Sequence, residues 1–441
     1  MKKQLFIKTF GCQMNEYDTE KIIDVIDNNE SVSVVDTPET ADLIILNTCS
    51  IREKAEVKVY SDLGRYRKLK ENNPNIRIAV GGCVASQEGE NIIKKAPYVD
   101  LVFGPQTLHR LPTLLRQREE KGTAQIDINF PEIEKFDHLP ISKFKGPSAA
   151  VSIMEGCSKY CSFCVVPYTR GEEISRPLND ILREIIELTQ TGVKEIVLLG
   201  QNVNAYRGLM SNESICDFSM LLEYVAEIEE IQRIRFTTSH PNEMTEELIA
   251  CFKKIGKLSK QFHLPIQSGS DRVLSSMKRN YTVLEYKSII RKLKKACPDI
   301  SITSDFIIGF PNETHDEFEQ TKKLMRELNF DYSFSFLYSP RPGTPASFIE
   351  DNISKHEKEK RLKEFQEINI EQGKAHTLRM IGTTQRIIID QKSKRKKGVY
   401  LGKTDNNRVV EIQGGPELLN KFVNIKITST TEKNLEGVVL K

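Results

Sequence analysis

The chain has 441 residues and a formal charge of +3, with 39% hydrophobic and 28% charged residues. That length suggests about three domains, and the composition is globular, with apolar material for sizeable cores. Collagen, coiled coil and a wholly disordered chain are excluded, and no apolar run approaches the roughly 18 residues that span a bilayer. Met1-Lys2-Lys3 is basic, but Lys8 interrupts the apolar stretch after it, so the start reads as a first strand rather than a signal peptide. Nine cysteines, an odd number, argue against a disulfide framework. They argue for a cytosolic chain in which clustered thiols bind metal or carry redox chemistry.

In chain order, apolar runs at 5–7, 43–46 and 76–80 read as strands, with helical periodicity over 20–27 and 53–69 between them. Strands alternating with helices predict parallel βαβ units, hence an α/β domain over residues 1–120. The polar stretch 121–146, punctuated by Pro131 and Pro140, reads as a linker. Residues 147–378 alternate more insistently. Strands are expected at 149–154, 195–199, 234–237, 262–266, 300–308 and 332–337, and helices at 180–189, 219–231, 245–254, 283–296 and 316–328. Six such steps in under 200 residues fall short of an eight-fold barrel, which takes roughly 250; an open (β/α)6 barrel fits. A charged helix over 357–380 follows. Residues 379–441 hold five short strands at 386–389, 398–401, 409–412, 423–427 and 435–440, which suggests a small β-barrel. From Thr383 onward there are twelve Lys/Arg against six Asp/Glu, so a basic module is hidden under the mild overall charge.

Cys157, Cys161 and Cys164 lie within eight residues, after the first barrel strand, where barrel active sites are built. Closed structural zinc sites take four ligands, and no fourth Cys or His follows at short spacing. Three thiolates on an iron–sulfur cluster leave one iron open. The C-x3-C-x2-C pattern, with Phe163 before the last cysteine, resembles the radical S-adenosylmethionine superfamily. The resemblance implies a [4Fe-4S] cluster whose open iron binds the amino and carboxylate groups of S-adenosyl-L-methionine, and whose electron releases a 5′-deoxyadenosyl radical.

Cys12, Cys49 and Cys83 are 37 and 34 residues apart, each just after a strand run. One βα unit takes about 30 or more residues, so all three would project from the carboxyl edge of one parallel sheet. A second metal cluster is the expectation. Two three-cysteine sets in this order, followed by a small β-barrel, resemble the methylthiotransferases, which have a cluster-binding domain, a radical barrel and a TRAM domain. Asn47-Thr48-Cys49-Ser50-Ile51-Arg52-Glu53-Lys54-Ala55 is similar to the tRNA-2-methylthio-N6-dimethylallyladenosine synthases (the MiaB family), as are Tyr168-Thr169-Arg170-Gly171 and Ser175-Arg176-Pro177. The resemblance covers essentially the whole chain. It implies that Cys12, Cys49 and Cys83 hold an auxiliary [4Fe-4S] cluster carrying the sulfur, that a second S-adenosylmethionine supplies the methyl group, and that N6-dimethylallyladenosine at position 37 of tRNA is methylthiolated at carbon 2. That carbon is not nucleophilic and its hydrogen is not acidic, so a radical answers the chemical need.

Gly200, Gln201 and Asn202 end the second barrel strand, in a segment resembling the one that contacts the S-adenosylmethionine amino group. Ser239, Gln267 and Ser268 follow later strands and are further cofactor-binding candidates, whereas His240 and His263 read as satisfied structural histidines. Cys216, Cys251 and Cys297 read as packing residues. The run Lys392, Lys394, Arg395, Lys396 and Lys397 is expected to bind RNA through phosphates, gripping the anticodon arm. The remaining expectations are an electron donor and a sulfur source as partners, no membrane, a cytoplasmic location and a monomer. Two other readings stay open at this point: a methylthiotransferase for threonylcarbamoyl-adenosine in tRNA, and a non-enzymatic iron–sulfur RNA-binding protein.

Overall fold

The structure, a computed structural model, describes residues 2–50, 53–130, 140, 146–431 and 434–440. Strands β1 (Lys3–Thr9), β2 (Val32–Val34), β3 (Leu43–Thr48), β4 (Arg77–Gly82), β5 (Leu101–Phe103) and β6 (Gln125–Asp127) form one sheet in the order 2-1-3-4-5-6. Every adjacent pair is parallel. Buried on both faces, β3 reads as an unbroken apolar run followed by Asn47 and Thr48, as expected when helices cover a parallel sheet from two sides. Ile44, Leu46, Ile78 and Val80 pack against Val59, Leu63 and Tyr66 of the helix Glu53–Asn72. Leu43, Ile45 and Ala79 pack on the other face against the helices Gln13–Asn29 and Leu111–Lys121. The sheet corrects the expected linker: β6 lies inside 121–146 and pairs with β5. Three-residue strands are too short to show a period-two pattern, so β2, β5 and β6 are silent in the sequence. Pro131 lies outside the described residues.

The middle of the chain holds six parallel strands in two runs. One run is β7 (Ser148–Ser152), β10 (Glu195–Leu199) and β13 (Arg233–Phe236); the small hairpins β8 (Met154–Glu155) with β9 (Ile174–Ser175), and β11 (Arg207–Leu209) with β12 (Ile215–Asp217), interrupt it. The other is β14 (Gln261–His263), β15 (Ser301–Ile308) and β16 (Tyr332–Leu337). Main-chain bonds from Ile234 N to Lys257 O (2.8 Å) and from Ser259 N to Ile234 O (2.9 Å) join the two runs. Among the described residues β7 and β16 are not paired, so the six-stranded barrel is open there.

Alternation along each strand sets two faces. Ile196, Leu198, Ile234, Phe236, Phe262 and Phe306 point outward into one core shared with the surrounding helices. Their neighbours point inward. Val197 and Leu199 meet Met14 and Tyr17 of the helix Gln13–Asn29, so the first domain covers the inner face on the β7–β10 side.

After the helix Lys355–Arg379, strands β17 (Thr384–Lys392), β18 (Val399–Lys403), β19 (Val409–Gln413), β20 (Phe422–Thr430) and β21 (Leu435–Val439) close into a barrel in the order 17-18-19-21-20. Its Thr404–Asp405 turn docks at the amino ends of the middle strands. Arg235 donates to the carbonyls of Thr404 and Asp405, and Arg233 pairs with Asp405 (3.0 Å). Both arginines also hold Glu195. Burial works against the Glu195 charge, but Arg235 and Arg233 keep its carboxyl below the usual range. Arg408 completes the seam with two bonds to Asp331 (2.6 and 2.8 Å), the bidentate geometry that suits arginine and carboxylate.

Candidate metal and cofactor site

The first-domain cysteines meet through sheet register. Thr48 of β3 lies opposite Gly82 of β4, so the next residues, Cys49 and Cys83, leave neighbouring strands together. Thr9 lies opposite Asn47, which brings Cys12 to the same edge. Gly11 (φ +108°) allows the approach; a Cβ there would fall 2.4 Å from Cys49 Sγ. Cys12 caps the amino end of the helix Gln13–Asn29, where the helix dipole favours a thiolate. A hydrogen bond with Cys49 holds its thiol down to about 6, burial opposes this, and Arg170 assists. The segment Ile51–Arg52 of the family motif lies outside the described residues.

The second set sits on the connection between β8 and β9. Cys157 N–H donates to Gly171 O (3.2 Å) and Cys164 N–H to Cys161 O (3.0 Å). Ser162 anchors the loop to the next layer, its N–H donating to Met277 O and its hydroxyl to Ser276 O. Burial pushes the Cys157 and Cys164 thiols up to about 11 and about 12, so metal binding here would release protons. Arg279, itself buried, places an N–H 3.4 Å from Cys161 Sγ. Among the described residues no three His, Cys, Asp or Glu side chains close on one point as ligands of a single ion. Thiolates that each hold a different iron of a cluster stand further apart than that.

Arg170 links the two sets. It lies six residues beyond Cys164 at the end of the short helix Val166–Arg170, roughly 9 Å along a helical path. Its guanidinium donates to Asp18 (2.6 Å), Glu155 (3.3 Å) and Asn15 (3.4 Å), and its charge acts on Cys12 and Cys83. Gln106 donates to its carbonyl (2.8 Å). One buried cation therefore ties the loop of the second cysteine set to the domain of the first.

Residues 4–104 match the Uncharacterized protein family UPF0004, residues 151–325 the Radical SAM superfamily and residues 378–440 the TRAM domain. Full-length relatives are more specific. A tRNA-2-methylthio-N(6)-dimethylallyladenosine synthase of Methylobacillus flagellatus is 58% identical over 437 residues, covering 99% of each chain. Those of Chromobacterium violaceum and Neisseria gonorrhoeae are 58% and 57% identical, over 99% and 100% of each chain. This chain belongs to the tRNA-2-methylthio-N(6)-dimethylallyladenosine synthase family.

Solved structures support the fold of this synthase family member. The radical S-adenosylmethionine methyltransferase TsrM from Kitasatospora setae aligns with a TM-score of 0.60 at 15% identity, covering 79% of this chain and 77% of that one. The radical enzyme OxsB aligns at 0.53 and 13%, covering 83% and 56%.

The expected cofactor residues take different parts. Asn202 Oδ1 and Ser239 Oγ are buried at the carboxyl ends of β10 and β13 without a hydrogen-bond partner among the described residues. Such atoms fit a site shaped for a polar ligand. Gln201 Oε1 accepts from Gly156 N–H (2.6 Å), so this side chain props the cysteine loop. A Cβ on Gly200 would fall 2.5 Å from Met154 Cγ, so glycine serves strand packing there. Gln267 sits at φ +80°, outside the usual range for its type. Ser268 is fully buried, its hydroxyl accepting from Ser270 N–H (3.2 Å) and lying 3.5 Å from the Thr321 hydroxyl.

His240 is a second correction. His263 is satisfied by Thr303 and Asp305, but His240 is not. Its Nδ1 accepts from Asn242 N–H (3.2 Å), which puts the proton on Nε2, and Nε2 is buried without a partner among the described residues. Burial, with the charges of Arg279 and Lys159, lowers its pKa to about 2. It is thus a neutral, buried donor beside the arginine that touches Cys161. A lone histidine carries no such signal in sequence; Asn204, which binds both its N–H and its carbonyl (2.9 Å each), fixes it only in the fold.

Cys216, Cys251 and Cys297 are buried in the barrel core. Lys392 at the end of β17 and Lys394, Arg395, Lys396 and Lys397 on the β17–β18 loop are exposed, and Lys396 pairs with Glu411 (2.5 Å). This loop lies at the end of the small barrel away from the Arg386–Lys403 seam with Arg233. No helix of the described residues is long and apolar enough to cross a membrane.

Proposed function

We propose that this protein methylthiolates carbon 2 of N6-dimethylallyladenosine at position 37 of tRNA. The observation that carries the reading is full-length likeness to synthases of that name, in a chain whose two cysteine triplets stand at strand ends joined by one buried arginine. Cys157, Cys161 and Cys164 would hold the radical-generating [4Fe-4S] cluster, and Cys12, Cys49 and Cys83 the auxiliary one. When bound, the first cluster and S-adenosylmethionine supply a one-electron cleavage that yields a carbon radical able to remove an aromatic hydrogen.

The chain's own groups orient and enclose. Arg279 holds the cysteine loop through its 3.4 Å contact with Cys161 Sγ. Asn202, Ser239 and the Nε2–H of His240 offer hydrogen bonds to S-adenosylmethionine; Gln201 and Gly200 shape the loop around it, and Gln267 borders the same mouth. The N-terminal domain covers the inner barrel face beside the second cysteine set and keeps water from it. Lys392, Lys394, Arg395 and Lys397 would bind tRNA phosphates. The protein would work in the cytoplasm as a monomer, with an external electron donor and sulfur source.

Anaerobic incubation with reductant, S-adenosylmethionine and tRNA tests this. The expected result is 5′-deoxyadenosine together with the methylthiolated dimethylallyl nucleoside by mass spectrometry. Unmodified dimethylallyladenosine, with 5′-deoxyadenosine no higher than in a Cys157→Ala control, would overturn the reading.

A further inference from the structure

The inner face of the open barrel is unevenly covered. Its β7–β10 side meets Met14 and Tyr17 of the first domain. Its floor is filled by Glu195, Arg233 and Arg235 with the Thr404–Asp405 turn. The β16 side differs. Register places Tyr332, Phe334 and Phe336 opposite Thr303, Asp305 and Ile307, on the inward face, since Phe306 packs outward on Phe330 and Phe365. Tyr332 is 52% exposed and Phe334 42%. Their rings contact at 5.1 Å, and Phe334 and Phe336 lie nearly parallel, 12° apart at 6.4 Å.

Three aromatics on alternate residues of an open edge strand form a ladder with steps of about 6.6 Å, close to the spacing of nucleotides in an extended single strand. Sheet-borne aromatics that stack two or three bases are a recurrent way to hold unpaired RNA. The two ends of the ladder choose the occupant. Asp331, just before Tyr332, is the residue Arg408 of the basic module grips. Beyond the strand, Ala346 N–H donates to Ser162 O of the cysteine loop (2.8 Å). The strand thus runs from the RNA-facing module to the reaction site. The basic loop lies beyond the seam by about six residues of β17, or roughly 20 Å, too far to present a base to the cysteines by itself.

We propose that Tyr332, Phe334 and Phe336 are a stacking platform for the unpaired loop nucleotides of the tRNA substrate, leading them from the basic barrel to the cysteine loops. The proposal rests on the tRNA reading above. Tyr332→Ala, Phe334→Ala and the pair are compared with the parent for binding a stem–loop RNA of the anticodon arm. The same arm with its loop closed into duplex serves as control. Each alanine is expected to weaken open-loop binding about 5- to 150-fold, to leave duplex binding unchanged, and to keep the slope of affinity against salt, because no phosphate contact is lost. Phe334→Tyr should bind within twofold of the parent. Folding of the variants is monitored by S-adenosylmethionine cleavage without RNA, which should stay at the parent rate.

Open-loop affinities within twofold of the parent in both alanine variants would overturn the platform. A parent protein that binds neither RNA would sink the tRNA reading instead, so the two failures are distinct.

Discussion

Arg170 offers the sharpest test of how the domains are coupled. Its side chain is 3% exposed and holds Asp18 and Glu155, each 2% exposed, at 2.6 and 3.3 Å. Arg170→Met keeps much of the length and removes the charge, leaving two buried carboxylates without their guanidinium. Removing one partner of a buried pair typically costs about 3–5 kcal/mol, and the loss should fall on the contact between the first domain and the barrel. A chain of several domains does not unfold in one step, so the quantity to follow is the earliest transition in urea, with hydrogen exchange over the helices Gln13–Asn29 and Val166–Arg170. Adding Asp18→Asn completes a double-mutant cycle, for which a coupling of about 0.5–3 kcal/mol is expected. Arg170→Lys restores charge but not the fork and should recover only part. Function should separate in the same variant: S-adenosylmethionine cleavage persists, while methylthiolated product falls at least about tenfold because the two cysteine sets lose register. An early transition within about 1 kcal/mol of the parent, or equal loss of cleavage and product, would refute the coupling.

Three further outcomes follow from the site. Anaerobically reconstituted protein should hold about eight irons, and either Cys12→Ala or Cys157→Ala should bring this to about four while the other cluster's spectrum remains. His240, buried neutral with its pKa lowered to about 2 from 6.5, binds a proton less readily folded than unfolded. Stability should therefore fall as pH drops below about 6.5, by up to about 1.4 kcal/mol per pH unit; His240→Gln should flatten that slope in urea melts taken between pH 4 and 7. For the basic loop, Lys394→Ala or Arg395→Ala should each reduce the log–log salt slope of tRNA binding by about 0.7–0.9. Lys396→Ala should reduce it less, since Glu411 already holds that ammonium.

Much of the architecture was legible because it repeats. β10 and the helix Val283–Ala296 fall where the apolar periodicity puts them, since a strand or helix buried under a layer must show its period along the chain. The β6 strand escaped because three residues carry no period, and it is made by pairing with β5.

The reactive inventory was readable from the amino-acid order alone: two cysteine triplets after strands, a basic C-terminal module, and motifs specific enough to indicate the family. Those are local signals, written in residue type and spacing. Tertiary structure decided everything that depends on which groups meet. It set the Ser268 hydroxyl to accept from Ser270 N–H and left the His240 Nε2 without a partner in the described residues. It set Arg170 between cysteines more than seventy residues apart in the chain. It also covered one side of the inner barrel face and left Tyr332 and Phe334 open on the other. The physical reason is that hydrogen-bond satisfaction and burial are properties of neighbours, and a parallel sheet takes its neighbours from distant parts of the chain.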